Sequence, residues 1–238
     1  MAPRSPAPQT TLWPRPAVTV DVVVFTVERA ADGMRLKVLL VERGGEPYRG
    51  SWALPGGFVH EHEDLPHAAE RELHEETGLT GVYIEQVAAV GTPGRDPRGH
   101  TVTVVYVALV PADRHPLHAA GDAAAARWFE VGQLPPLAFD HGRLLDAAHD
   151  HLRRRLGETP AAFELLPGAF TLSELQSLCE VILGRRLDRR NFRRKLRDGG
   201  FVAPAKGRRE GRHRPAQLYR FVPRAFQRHL RTGSDLPF

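Results

Sequence analysis

Residues 54–79 constrain this chain more than any other stretch. Leu65, Ala69 and Leu73 recur at i, i+4 and i+8, Asp64 stands at an N-cap position, Pro66 suits a first helical turn and Gly78 ends the run. The spacing predicts a helix over Leu65–Thr77. On that helix Glu72, Glu75 and Glu76 emerge on one face, where like charges oppose one another by about 0.2–0.5 kcal/mol per pair. A bound divalent cation reverses that sign, because carboxylate oxygens are the ligands Mg²⁺ prefers, with substrate phosphates and waters completing an octahedron. Glu63 in the preceding loop can reach back as a further ligand, and Arg71 can fix a carboxylate by a bidentate contact. Gly56 and Gly57 let the loop approach a phosphate closely. Three glutamates alone are more often a solvated helix face. The glycine spacing sets this stretch apart.

The net charge of +5 hides two opposite halves. Residues 1–158 carry 16 Lys+Arg against 21 Asp+Glu, a balance of −5, whereas 159–238 carry 17 against 7, a balance of +10. The step favours two domains, and 42% hydrophobic residues suffice for packed cores and exclude a wholly disordered chain. With Cys179 as the one cysteine, neither an intrachain disulfide nor a cysteine-based zinc site can form, so a reducing cytoplasm is the expected compartment. No apolar run approaches the roughly 20 residues of a bilayer span, and no membrane association is expected.

The Pro-rich segment 1–15 reads as a flexible lead-in. Val18–Val27 reads as a central strand, Ala30–Gly33 as a turn and Leu36–Val41 as the second strand of a hairpin. After the carboxylate helix come strands near Val82–Val90, His100–Val110 and Arg127–Val131, then a helix near Asp140–Leu156. Pro160 and Pro167 mark 158–168 as a linker, and 232–238 as a tail follows the last module.

Gly57-x5-Glu63-x7-Arg71-Glu72-Leu73-x-Glu75-Glu76-x-Gly78-Leu79 matches every specified position of the Nudix box, nine positions over 23 residues. The chain therefore resembles the Nudix hydrolases. The resemblance implies an α/β/α sandwich with a mixed sheet over 16–157, and hydrolysis, dependent on Mg²⁺ or Mn²⁺, of a nucleoside diphosphate linked to another moiety. It casts Arg71, Glu72, Glu75 and Glu76 as catalytic. Glu72 and Glu76 would be the principal metal ligands, Glu75 and Glu63 ligands or orienting partners, and Arg71 the organiser of the carboxylates. A catalytic base outside the box stays unassigned, with Asp113 and Asp122 as candidates.

Arg95 and Arg98, in the turn-rich loop Thr92–Thr101, can bind phosphate or stack on an adenine. The plain alternative is a surface turn with a local contact between Asp96 and an arginine. The Arg95–His100 stretch and Ala138-Phe139-Asp140-His141 are similar to ADP-ribose pyrophosphatases and related Nudix regulators. That likeness implies ADP-ribose as ligand, cleaved to AMP and ribose 5-phosphate, with Gly56, Gly57, Arg95 and Arg98 as substrate-binding residues.

All of the positive excess sits late in the chain, with 17 Lys+Arg and 3 acids between Arg185 and Arg231. Thr171-x-x-Glu174 is a capping-box pattern opening a helix with the apolar stripe Leu172, Leu175, Leu178, Cys179 and Ile182, ended by Gly184. Asp188 caps a second helix whose inward pair is Phe192 and Leu196 and whose other faces carry Arg189, Arg190, Arg193, Arg194, Lys195 and Arg197. Phe201-Val202, the basic Lys206–Arg214 stretch and Gln217–Phe221 read as strand, loop and strand. This is the winged helix-turn-helix order over 169–231, with one further helix assumed, and it suits double-stranded DNA, with Arg212 and Arg214 in the wing as further contacts. Phe170–Gln176, Leu187–Lys195 and Arg214–Arg220 resemble the winged helix of NrtR-type Nudix regulators of NAD metabolism. The resemblance implies a homodimer that binds an NAD-derived nucleotide and so alters its affinity for an operator.

The expectation is thus an α+β protein that keeps hydrolase chemistry and adds a DNA-binding domain. Two other readings stand beside it: a repressor that senses ADP-ribose without cleaving it, and a hydrolase whose C-terminal module only dimerises.

Overall fold

The computed structural model describes residues 15–30, 33–111, 123–209 and 215–232. Its framework is a seven-stranded mixed sheet ordered β3-β2-β1-β6-β5, with β4 also on β1 and β7 also on β2. β1 (Ala17–Ala30) lies at the centre, antiparallel to β2 (Gly33–Arg43) and β4 (Gly56–Phe58) and parallel to β6 (Thr101–Leu109). β3 (Trp52–Ala53) and β7 (Ala123–Glu130) extend the β2 side, and β5 (Tyr83–Val90) closes the β6 side.

The valine run of β1 is buried on both faces, as expected for a central strand covered above and below. Val20, Val22 and Val24 face one layer with Leu39, Val104 and Tyr106, under Ala68, Ala69 and Leu73 of α1 (Leu65–Thr77). Val23, Phe25 and Val27 face the other with Leu36, Val38 and Leu40, under Leu144, Leu145, Ala148 and Leu152 of α2 (His141–Arg155). The period of two along the strand thus assigns alternate side chains to two helical layers. Gly78 ends α1 in the left-handed conformation at φ 74°. Asp64 occupies its N-cap without a side-chain cap bond.

The strands match the sequence reading with two additions. β3 and β4 are too short to show a period, and β4 contains Gly56 and Gly57, residues depleted from strands. They form because β1 and β2 continue past their hairpin pairing and offer unpaired backbone groups there.

Residues 158–168 are not a solvated spacer. They hold the one-turn helix α3 (Ala161–Glu164) and bury Ala161, Ala162, Phe163, Leu165 and Leu166. Phe163 stacks on Phe221 at 4.0 Å between ring centroids and also meets Phe170 and Phe226. The two prolines mark the ends of a packed turn here, and the apolar content between them decides its burial.

α4 (Leu172–Leu183) opens with a complete capping box. The Thr171 side chain accepts from the Glu174 N–H at 3.1 Å, and the Thr171 N–H donates to Glu174 Oε2 at 2.8 Å. α5 (Arg189–Asp198) is capped by Asp188, which accepts from the Asn191 N–H at 2.7 Å. β8 (Val202–Arg209) and β9 (Ala216–Phe221) form the wing, Phe170 pairs with Tyr219 beside it, and α6 (Pro223–Thr232) follows. α3, α4 and α5 supply the three helices ahead of the wing. The sequence pattern shows two of them, because α3 is too short for a helical period.

Leu175, Leu178, Cys179 and Ile182 of α4, all fully buried, join the same apolar cluster as Phe25, Leu36 and Leu152. The winged-helix elements are thereby packed on the sheet. Phe163→Ala is expected to destabilise the chain by about 3 kcal/mol, the scale of a large-to-small aromatic truncation, with β8, β9 and α6 losing amide-exchange protection. Denaturant unfolding and hydrogen exchange check this, and an unchanged midpoint would show that α3 is a spacer after all.

Candidate functional site

Between α1, the β4 loop and the 92–99 loop lies a cleft of about 540 Å³, and Gly56, Gly57, Glu72, Glu75, Glu76, Arg95 and Arg98 all line it. Arg71 organises its acidic side with five hydrogen bonds, as many as a guanidinium has N–H groups. Nε and Nη2 grip both oxygens of Glu63 at 2.7 and 2.9 Å, Nη1 reaches Glu72 at 2.7 Å and Glu75 at 3.2 Å, and Nη2 also donates to the Phe58 carbonyl at 3.1 Å. The single cation offsets the mutual repulsion of three carboxylates.

The four glutamates are not equivalent. The Arg71 hydrogen bonds, helped by the His60 N–H, hold the Glu63 carboxyl down at about 2. Burial raises Glu72 above the usual carboxylate range despite Arg71 beside it. Glu76 is pushed up to about 8, chiefly by burial, against the lowering effect of the Gly56 N–H that donates to its Oε2 at 3.0 Å. A Cβ on Gly57 would lie 2.3 Å from Glu72 Oε1, so only glycine lets that carboxylate rest against the loop. At Gly56, a Cβ would lie 2.2 Å from the Val20 carbonyl oxygen.

Among the described residues, no three His, Cys, Asp or Glu side chains are grouped closely enough to hold a metal ion. The carboxylates share a cleft while Arg71 holds Glu63, Glu72 and Glu75. Their chemistry nevertheless fits a hard divalent cation: the donors are all oxygen, and burial disfavours an ionised Glu76 that has no cation beside it.

The two loop arginines differ from expectation and from each other. Arg95 is 5% exposed and bound to Asp140 at 2.7 and 3.2 Å, with Asp21 at 3.5 Å, so it builds the cleft wall and has little surface to offer a phosphate. Its burial follows from partners on β1 and at the N-cap of α2, which loop composition does not reveal. Arg98, 42% exposed, pairs with Asp96 at 2.7 Å, the local contact of the plain reading. It also lies over the rings of Phe58 at 4.9 Å and Phe139 at 5.6 Å. Arg43 lies over Phe139 at 4.8 Å.

Asp21 and Arg43 reach the cleft from strands that carry no motif, and His141 reaches it from the Ala138–His141 stretch at the start of α2. Asp21 accepts from Thr103 Oγ1 at 2.6 Å and lies 3.4 Å from His141 Nε2. The Leu54 N–H donates to His141 Nδ1 at 2.9 Å, which leaves Nε2 as the protonated nitrogen facing Asp21. Burial lowers the pKa of His141, consistent with a neutral ring. A lone aspartate inside a valine run was the available signal for Asp21. Asp113 and Asp122 lie outside the described residues.

At the other end of the chain, α5 buries Phe192 and Leu196 and exposes Arg189, Arg190, Arg194 and Arg197. Arg193, half-buried, donates to Ser173 Oγ at 3.1 Å, and Arg194 donates to Asn191 Oδ1 at 2.8 Å. Lys195 is half-buried on the same helix. Arg212 and Arg214 lie outside the described residues. Among the described residues, no helix is long and apolar enough to cross a membrane.

Comparison with known proteins places both halves. The NUDIX domain model matches residues 15–148, and the NrtR DNA-binding winged helix domain model matches 162–221. The chain is 39% identical over 214 residues to an ADPR responsive transcriptional repressor, NtrR, of Acinetobacter baylyi, covering 88% of this chain and 84% of the relative. An ADP-ribose pyrophosphatase of Methanocaldococcus jannaschii is 37% identical over 146 residues, 61% of this chain and 79% of that protein. The crystal structure of Shewanella oneidensis NrtR complexed with a 27mer DNA superposes with a TM-score of 0.73 at 35% identity, covering 88% of this chain and 95% of that one. With both family models matched in order along one chain, the protein belongs to the Nudix family, in its NrtR branch of Nudix domains joined to a winged helix.

Proposed function

We propose that this protein is an ADP-ribose-responsive transcriptional repressor whose Nudix domain also hydrolyses ADP-ribose to AMP and ribose 5-phosphate with Mg²⁺. The observation that carries the reading is the complete carboxylate cleft, organised by Arg71, in the same packed chain as the basic helix α5. The relatives support each half, one as an ADPR responsive repressor and one as an ADP-ribose pyrophosphatase.

In this reading Glu72 and Glu76 hold the metal, with Glu75 as a further oxygen donor. Glu63 braces Arg71, since that guanidinium takes both its oxygens. The cation supplies charge neutralisation at the pyrophosphate and a more acidic water. Gly56 and Gly57 bring the loop backbone up to the phosphates, and Phe58, Phe139 and Arg98 offer flat faces to an adenine. Arg95 holds the wall in place through Asp140 and Asp21. On α5, Arg189, Arg190, Arg193, Arg194 and Lys195 meet DNA phosphates and base edges, with Arg212 and Arg214 as wing contacts.

Incubation with ADP-ribose and Mg²⁺ is expected to release AMP, and Glu76→Gln to lower turnover by at least the roughly 10–100-fold that loss of even an outer metal partner costs. Undiminished turnover in that variant would remove Glu76 from the metal site. Because Glu76 gives up its proton only near pH 8, Mg²⁺ affinity measured by calorimetry should rise with pH up to about 8 and then level off. The same group acts oppositely on the metal-free fold. Its folded pKa is raised, so the native state holds the proton longer than the unfolded one, and stability falls as pH climbs from the usual carboxylate range towards 8. Glu76→Gln should flatten both profiles.

For the other domain, Arg193→Ala with Arg194→Ala is expected to weaken operator binding and to reduce the salt slope by about one unit for each phosphate that is no longer neutralised. A gel-shift titration at two salt concentrations reads this, and an unchanged slope would move the interface off α5.

A further inference from the structure

We infer that α2 is the element through which the nucleotide cleft acts on the DNA-binding helices, with Arg153 as its coupling anchor on α4. The inference rests on the reading above that ADP-ribose occupies the cleft, and it concerns how that occupancy is transmitted.

The N-terminus of α2 is part of the cleft wall. Asp140, its N-cap, takes the bidentate Arg95 contact, and His141, its first residue, joins the Leu54 N–H to Asp21. Twelve residues after His141, about 18 Å along the axis, Arg153 grips a carbonyl in the last turn of α4. Arg153 Nε donates to the Ile182 oxygen at 3.0 Å. A carbonyl in the last turn of a helix has no partner within it, and here α2 supplies one.

From Ile182 the connection to α5 is also polar and short. Glu180 accepts from the Leu187 N–H at 2.9 Å, and Gln176 donates to the Leu187 carbonyl at 3.0 Å, which fixes the turn ahead of Asp188 and α5. The opposite end of α4 rests on the sheet. Arg29 pairs with Glu174, and the Met34 N–H donates to Ser177 Oγ at 2.9 Å. α4 is therefore held at its N-terminal part by the hairpin of β1 and β2 and at its C-terminus by α2. A displacement of α2 relative to the sheet tilts α4 about its hairpin support and carries α5 with it. β1 is fixed by burial on both faces, whereas α2 packs on the sheet through one apolar face and is tied to the cleft by the Arg95 and Asp140 contact, so a change at that contact bears on α2 first.

The test is hydrogen exchange on the full chain with and without ADP-ribose, with affinity for ADP-ribose measured by calorimetry and fold integrity by thermal unfolding. In the wild type, ADP-ribose is expected to change exchange in residues 172–198. Arg153→Ala should keep ADP-ribose affinity within about twofold, as for a site distant from the cleft, keep the exchange change around residues 54–57, and lose it at 172–198. Ser177→Ala, on the hairpin support, should keep the response. Should Arg153→Ala not fold, Arg153→Met, which keeps an apolar stem without the donor, is read in the same way. A full response in the anchor variant, or its loss in Ser177→Ala alone, overturns the proposal. So does a wild type that binds ADP-ribose without change at 172–198. A wild type that fails to bind ADP-ribose overturns the functional reading itself, and the coupling with it.

Discussion

The structure depends on the burial of β1 on both of its faces. A strand of alternating apolar side chains with helices above and below leaves room for few polar residues, and those present have to be paired. Asp21 is the acidic side chain buried in that strand, and Thr103, Arg95 and His141 surround it. The cleft grows out of this arrangement, since the groups that satisfy Asp21 also set the wall behind the carboxylates. On the opposite face, Phe25 and Val27 extend the same apolar layer to α4 and so anchor the second domain.

The carboxylate face shows why one arginine matters. Without Arg71, three glutamates would sit within a few ångströms of one another on one helix and loop. With it, Glu63 is held ionised, Glu72 and Glu75 are oriented, and Glu76 is left as the buried member that burial keeps protonated up to about pH 8. The cluster is thus ordered and still short of positive charge, which is the condition under which a divalent cation binds favourably.

The carboxylate helix, its left-handed glycine end, the capping box of α4 and the Asp188 cap were legible because each is a local pattern of spacing and side-chain chemistry. The site was less so. Glu72, Glu75 and Glu76 are neighbours on one helix, but Asp21 and Arg43 are brought in by sheet pairing that no short-range signal predicts, and the stretch that holds His141 does not show its partner Asp21. Arg95 shows the converse: its loop is polar, yet the arginine is buried, because its partners lie 45 and 74 residues away along the chain. Residues 158–168 misled for a related reason. Pro160 and Pro167 suggest a spacer, while Phe163, Leu165 and Leu166 between them had an apolar layer to fill.

By itself the sequence determined the elements that follow from near neighbours: which stretches are helical, where they are capped, which glutamates share a face, and that the positive charge lies late in the chain. Tertiary structure alone decided which carboxylate is buried and which is paired, that one loop arginine is wall and the other lies over aromatic rings, and that the two domains share a core. The physical reason is that desolvation and ion pairing depend on what the rest of the chain packs against a group, and packing partners on a mixed sheet come from distant segments.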